Sequence, residues 1–428
     1  MKKIILSILV LLLTHANAEN NLNFFIGKAV KNNLKLNAER QKVKSAKQNK
    51  KISRSEFLPS VTISGNQTST TSTERVNQGG STLSDTNLDS ESKSISLEQK
   101  IFTGFKGVNT FKKTELETKK AKLELKRVEQ QTILDSANAY FDLIYKYKNE
   151  KFNLLNLSLF ERQVESDTAR LQKGEITLTD LAQSESSLAG ANAKLIKAKT
   201  ELFSSKTNFE RVTGERSPNP EILKNDINLE LPNSLESSLR ISELENLDIL
   251  IAKLDYEISK INLNIERARL SPSASINISK TETRDLSSTI DEQDDETVKA
   301  TITWPIIKGG ENVSSIKKSS YEKQRAKLLL QDTKNKTSTE TSNSWSKYQS
   351  SKSVLKATKS QLEAAEIANE GITLEYDAGN SRTTLEVIQS RSLLLDARID
   401  HAKSQRDFIT AQFELSLQIG SLSLKTLK

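Results

Sequence analysis

Two histidines and no cysteine occur among the 428 residues, so the side chains that most often bind metals or attack carbonyl carbons are nearly missing. His15 falls in an N-terminal leader, and His401 stands alone in a helical pattern, with no imidazole or thiol near it to complete a metal set or a nucleophile–base pair. Gly104-Phe105-Lys106-Gly107 does not complete a phosphate-loop spacing, and neither an HExxH helix nor a Gly-x-Ser-x-Gly elbow occurs. The residue types therefore predict no enzyme, no cofactor and no metal site. What the chain does offer is a turn written twice: "RLQKGEITLTDLAQSESSLAGANAKL" (Arg170 to Leu195) and "EYDAGNSRTTLEVIQSRSLLLDARIDH" (Glu375 to His401). Each has a glycine, small polar residues, an acidic–aliphatic pair and then a long helical pattern.

The elements that position these turns begin behind a leader. Lys2 and Lys3, the mostly apolar Ile4 to Leu13, and Ala16-Asn17-Ala18 read as a signal peptide over residues 1–18. Its apolar stretch is too short for a bilayer-spanning helix, which needs about 20 residues. Export without cysteine excludes both a disulfide framework and a lipid-modified N-terminal cysteine. Apolar residues make up 35% of the chain and charged residues 28%. That is too little apolar surface for an ordinary globular core, but enough for long helices with narrow apolar seams and water on two sides. The net charge of +8, or +6 without Lys2 and Lys3, is spread in mixed runs such as Lys112 to Arg127, so no nucleic-acid partner is expected.

The helical seams follow heptads. Leu181, Leu188, Leu195, Leu202 and Phe209 recur every seventh residue, with Ser184, Ala191, Ala198, Ser205 and Val212 between them. A shift of 206 gives Val387, Leu394, His401, Phe408 and Leu415, with Ser390, Ala397, Ser404, Ala411 and Gln418. Large residues facing small ones are what closely packed helices require. His401 is thus expected to be a packing residue with a polar contact. Both seams end at a glycine, Gly214 and Gly420, where a helix C-cap favours one.

Upstream segments match too. "EFLPSVTIS" (Glu56 to Ser64) pairs with "RLSPSASINIS" (Arg269 to Ser279), and "KIFTGF" (Lys100 to Phe105) with "PIIKGG" (Pro305 to Gly310). Residues 19–214 and 237–420 therefore read as two structural repeats, joined by a proline-bearing connector at 215–236 and followed by a tail at 421–428. Each repeat predicts a helix (Phe24–Phe57 and Leu239–Leu270), a β-hairpin (about 58–103 and 271–307), a very long helix, a tip glycine and a returning helix. Strand signals fall near Val61–Thr68, Ser92–Phe102, Ser273–Thr283 and Thr297–Ile306, the last with Val298, Ala300, Ile302 and Trp304 on one face. Long polar loops are expected between them, the second (Glu282 to Glu296) carrying seven acids. Such hairpins suit either a soluble sheet or a bilayer-spanning one. The 68 residues from Lys106 to Gly174 and the 69 from Gly310 to Gly379 make helical runs of about 100 Å. They reverse at Gly174 and Gly379, where glycine tolerates φ > 0. Four strands per chain cannot close a barrel, so membrane strands would require oligomerisation, three copies giving twelve strands.

In this order, duplicated and behind a signal peptide, the motifs "LPS", "F-x-G" and Tyr-x-x-Gly followed by an acid–aliphatic pair resemble the TolC-like outer-membrane efflux family over essentially the whole mature chain. The resemblance implies a homotrimer in outer-membrane lipid: a 12-stranded β-barrel above a long α-helical barrel in the periplasm. It would act as the passive exit channel of a tripartite efflux or type I secretion system, with a periplasmic adaptor and an inner-membrane pump of RND or ABC type as partners. It also implies a gate at the periplasmic end. The family's gate positions fall on Asp180, Tyr376, Arg382 and Glu386, and its adaptor-docking tips on Gly174 and Gly379. Three features depart from the family pattern: seven residues rather than six separate the second tip glycine from its acid, Gln389 stands where relatives often have another acid, and Asn32-Asn33 and Asn246-Leu247 stand where the family commonly has Asn-Pro. The competing class is a periplasmic coiled-coil or adaptor protein without a membrane barrel.

Overall fold

Apolar spacing sets the elements. In α1 (Leu22–Asn32) the buried residues Leu22, Phe25, Ile26, Ala29 and Val30 recur at the three- and four-residue intervals of one helix face. The computed structural model describes residues 22–223, 227, 229–287, 290–378 and 382–426. The expected signal peptide (1–18) and the tip glycine Gly379 lie outside the described residues. After α1 come α2 (Leu34–Ser55), β1 (Ser60–Ser72), β2 (Thr86–Phe102), α3 (Lys106–Gln172) and α4 (Leu178–Thr213). The same order then repeats as α5 (Leu235–Glu245), α6 (Leu247–Ala268), β3 (Ser273–Ser287), β4 (Ile290–Thr303), α7 (Glu311–Asp377) and α8 (Thr384–Gln418). The fold is mostly helical with four strands, and α3 and α7 have 67 residues each. No helix among the described residues is long and apolar enough to cross a membrane.

Two expected helices are each broken in two. The first divides at Asn33, whose Oδ1 accepts from Leu36 N at 2.9 Å. The second divides at Asn246, whose Oδ1 accepts from Asp248 N at 2.9 Å and whose backbone is extended (φ −60°, ψ 127°). An asparagine side chain competes with the helical ladder for nearby N–H groups, so each becomes the cap of a new helix.

The chain forms two compact units. One holds Leu123–Ile251, the residues up to Gln41 and those from Gln331 onward; the other holds Lys42–Lys122 and Ala252–Leu330. In the first, Phe25 lies edge-on to Phe209 at 5.1 Å, and Tyr140, Phe141, Leu36, Ile133 and Phe413 fill the core around them. Gln130 Nε2 donates to the carbonyls of Gly420 (2.9 Å) and Leu422 (2.8 Å), fixing the end of the chain on this core. The seams are buried as their spacing requires: Ser184, Ala191, Leu195, Ala198 and Phe209 on α4, and Val387, Leu394, Ala397, Ala411 and Leu415 on α8. His401 is half-buried on the α8 seam, with Thr358 Oγ1 3.5 Å and Gln405 Nε2 3.0 Å from its ring nitrogens. Burial, then nearby Lys148, lowers its pKa.

In the second unit the strands form one antiparallel sheet in the order β1-β2-β3-β4. The strands run longer than expected on their outer side. The polar residues expected to form a loop are paired in the ladder instead, with Glu282 opposite Asp294 and Arg284 opposite Glu292. Cross-strand pairs Lys280–Asp294 (3.8 Å) and Arg284–Glu292 (3.6 Å) let charged residues sit in the ladder. β4 stops at Thr303, not Ile306, because Pro305 has no N–H to donate.

Register sorts the two faces. Val61, Ile63, Ile95, Leu97, Ala274, Ile276, Ile278, Val298, Ala300 and Ile302 share one face across all four strands. The opposite face carries Thr62, Ser64, Ser94, Ser96, Ser275, Asn277, Ser279, Thr297 and Thr301. The apolar face is bare, Ile63 and Ile302 each being 78% exposed. Exposed aromatics Phe57, Phe102, Phe105 and Trp304 gather where the strands meet the helices, and Trp304 Nε1 donates to Leu270 O at 3.1 Å. An outward apolar band edged by aromatics is the pattern of a membrane sheet, not of a soluble hairpin.

Gly420 has φ +81°, and a Cβ there would lie 2.3 Å from Glu245 O. At Gly309 (φ +51°) a Cβ would meet nothing within 4 Å. Gly309→Ala should therefore bear only the left-handed backbone cost, roughly 1–2 kcal/mol. Gly420→Ala should lower the urea midpoint in detergent by clearly more, because the backbone of Asn246 and Glu245 must also shift. Equal losses would mean that strain alone acts at both positions.

Candidate functional site

The returning helices at the two hairpin ends begin with the same local device, a capping box. At the first, α3 ends with Gly174 in the left-handed region (φ +77°), and Glu175 N reaches back to Arg170 O at 2.9 Å. Thr177 then caps α4: its Oγ1 accepts from Asp180 N (3.3 Å), and Asp180 Oδ2 accepts from Thr177 N (2.9 Å). At the second, Thr383 and Glu386 repeat this box at the start of α8, with Glu386 N to Thr383 Oγ1 at 3.3 Å and Thr383 N to Glu386 Oε2 at 2.8 Å. The duplicated acid–aliphatic pair is thus first a capping signal: the acid closes the helix end and the aliphatic residue opens the seam. The spacing Thr-x-x-Asp and Thr-x-x-Glu was legible in the sequence and gives each acid a local role.

The four expected gate residues fall in three separate places. Arg382 and Glu386 are together, with Nη1 donating to Oε1 at 3.0 Å, and Arg382 Nε also donates to Glu375. These exposed bonds, Glu375 first, raise the Arg382 pKa. Asp180 is partly exposed and bonded to Thr177 rather than to Arg382 or Tyr376 of its own chain. Tyr376 points inward. Its hydroxyl donates to Asp167 Oδ1 at 3.0 Å and lies 3.1 Å from Thr384 Oγ1, with the Arg170 guanidinium 4.6 Å over its ring. Burial is the main cause of its raised pKa. Gln389 is exposed, one residue before the seam residue Ser390.

Asp167 escaped the sequence reading. Its signal lies in the α3 seam, where Asn149, Asn153, Asn156, Phe160, Gln163 and Asp167 follow alternating spacings of four and three, and all are buried. A carboxylate in a seam that otherwise excludes water needs donors from neighbouring helices.

The chain thus has the make-up of a membrane-sheet protein carrying two long helical hairpins. A family model described as outer membrane efflux protein matches residues 25–215 and 239–421, and the chain belongs to that family. It is 24% identical over 397 residues to the outer membrane efflux protein BepC of Brucella suis biovar 1 (strain 1330), covering 92% of this chain and 84% of BepC. It is 22% identical over 355 residues to the outer membrane protein TolC of Escherichia coli (strain K12), covering 79% and 71%. The solved outer membrane protein VceC of Vibrio cholerae shares the fold, with a TM-score of 0.77 over 93% of this chain and 96% of VceC at 18% identity. The protein is accordingly an efflux protein of the outer membrane that reaches into the periplasm, and its relatives are channel proteins, not enzymes.

Hydrogen bonds from Thr177 hold the Asp180 carboxyl below its ordinary value, and those from the Thr383 backbone and Arg382 do the same for Glu386. A lowered folded-state pKa means that each cap contributes stability above the ordinary values of 3.8 and 4.5, and loses it as pH falls through the folded values. Amide protection factors (exchange relative to an unstructured chain at the same pH) in the first turns of α4 and α8 should fall between about pH 6 and about pH 3, while those of mid-helix amides hold. Asp180→Asn should remove that dependence at α4 and leave it at α8. A dependence that survives at α4 would place its origin outside the cap.

Proposed function

We propose that three copies of this chain assemble into an exit channel that is opened and closed at the hairpin ends. The observation that carries this reading is the sheet. One face is apolar and bare, and among the described residues β1 pairs only with β2 and β4 only with β3. Strands in a bilayer cannot leave edges unpaired, because nothing in the hydrocarbon satisfies their N–H and C=O groups. Pairing β1 of one copy with β4 of the next satisfies both edges, and three copies give twelve strands. The polar face then lines the lumen. Exposed apolar residues on the long helices, such as Phe203, Tyr321 and Ile367, are contacts for neighbouring copies.

In this reading substrates leave through the tube without chemistry, and energy comes from an inner-membrane pump of RND or ABC type joined through a periplasmic adaptor. The hairpin turns at Gly174 and Gly379 dock the adaptor. Asp180, Tyr376, Arg382 and Glu386 hold the closed state, Asp180 and Arg382 by facing each other between copies. What supports this is that near the hairpin ends Arg382 is exposed and Asp180 partly so, and that among the described residues of one chain both are held only by local partners. A coiled-coil adaptor would leave the four-stranded sheet without a purpose.

Mass measurement of the mature protein in detergent should give a trimer that migrates in a heat-modifiable way. A stable monomer in the membrane fraction would defeat the assembly. In planar bilayers, Asp180→Ala/Arg382→Ser should raise single-channel conductance over wild type, and Tyr376→Phe should raise it less. Unchanged conductance in an intact trimer would make Asp180 and Arg382 ordinary surface residues.

A further inference from the structure

Asp167 is wholly buried, and among the described residues its hydrogen bonds come from three uncharged donors. Gln163 Nε2 reaches Oδ1 at 2.9 Å from the same helix, Ser184 Oγ reaches Oδ2 at 2.5 Å from α4, and Tyr376 OH reaches Oδ1 at 3.0 Å from α7. The Tyr376 hydroxyl continues to Thr384 Oγ1 on α8 at 3.1 Å. Arg391 crosses back from α8 to α3, donating to Gln163 Oε1 at 2.9 Å and to Leu159 O at 3.3 Å. One connected set of bonds therefore joins all four helices just inside the hairpin ends, and Asp167 is its centre.

We propose that Asp167 is the positioning residue that holds Tyr376, and with it the α7–α8 hairpin, against the α3–α4 hairpin of the same chain in the closed channel. This rests on the gating reading above. A buried carboxylate is tolerated only while its hydrogen bonds are made. If α7 moves away, the carboxylate loses a donor and must admit water, so partial separation is unfavourable and the contact is either made or broken. That is the behaviour a latch needs. Asp180 does not hold this position within the chain, since its carboxylate is engaged by its own cap. The two sets then act at different places: Asp180 and Arg382 between copies, Asp167 between the two hairpins of each copy. The seam asparagines Asn149, Asn153 and Asn156 continue the polar stripe away from the end, so water that enters on opening meets groups able to bond it.

The test is single-channel conductance of full-length trimers in planar bilayers. Asp167→Ala and Asp167→Leu, the second filling the vacated volume, should each raise conductance about as much as Tyr376→Phe. Asp167→Leu/Tyr376→Phe should raise it no further than the larger single variant, because both act on one bond. A purely structural role would change trimer yield instead of this non-additivity. Additive increases, or unchanged conductance in an assembled Asp167 variant, would overturn the proposal. Should neither Asp167 variant assemble, Ser184→Ala decides: it withdraws one donor from Asp167 without touching Tyr376, and a rise supports the latch whereas no change overturns it. Asp180→Ala/Arg382→Ser is the control. If it opens the channel while the Asp167 variants do not, the gate stands and Asp167 is not its latch. If none of these variants alters conductance, the gating reading itself fails and the latch fails with it.

Discussion

Close packing of long helices along narrow seams is the constraint from which the rest of this structure follows. Each 67-residue helix could present a wide apolar face only with far more than 35% apolar residues in the chain. The returning helices α4 and α8 instead alternate large residues with alanine and serine, so that backbones approach closely and little apolar area is left for water to see. Such seams admit few substitutions in volume, which is why the second repeat keeps the same large–small alternation despite wide divergence elsewhere. They also leave the other helix faces free for ions, water and neighbouring chains.

The sheet solves the opposite problem. Its apolar residues face outward and its serines and threonines face the other way, so a soluble reading would leave the apolar face bare and the polar one without a reason. In a bilayer the same arrangement places hydrocarbon against hydrocarbon and reserves the polar face for an aqueous lumen. Trp304, at the strand–helix junction, has the amphipathic ring that is best accommodated at a membrane–water interface.

The hairpin ends show how one residue type can serve two purposes. Asp180 and Glu386 close helix N-termini by accepting from the N-cap N–H groups of Thr177 and Thr383, which would otherwise lack a partner. A side chain so engaged is already held in a fixed rotamer at the surface, and that makes it a ready partner for a group on another chain. Asp167 has no such local duty. It lies a heptad before the tip glycine, inside a seam, and its bonds from Ser184 and Tyr376 run between helices. A capping motif alone therefore does not account for the polar order at this end of the molecule.

Periodicity and punctuation in the sequence determined the helices, the hairpin turn at Gly174, the buried seams of α4 and α8, the four strands and the family. These depend on neighbours a few residues apart, and the relevant energies (capping, seam burial, glycine at positive φ) are local. The breaks at Asn33 and Asn246 were also local but were hidden inside strong helical patterns, where an asparagine reads as a tolerated polar residue until its side chain is seen to cap. The outer halves of the strands were missed because polar, acidic residues lack strand propensity, and only pairing across the sheet keeps them extended. Which hydroxyl meets Asp167, and that Tyr376 turns inward rather than toward Asp180, was decided by tertiary structure alone. Those bonds join residues separated by 17 and 209 positions. A seam pattern can say that a carboxylate will be buried, but only the packed helices supply the donors that make burying it possible.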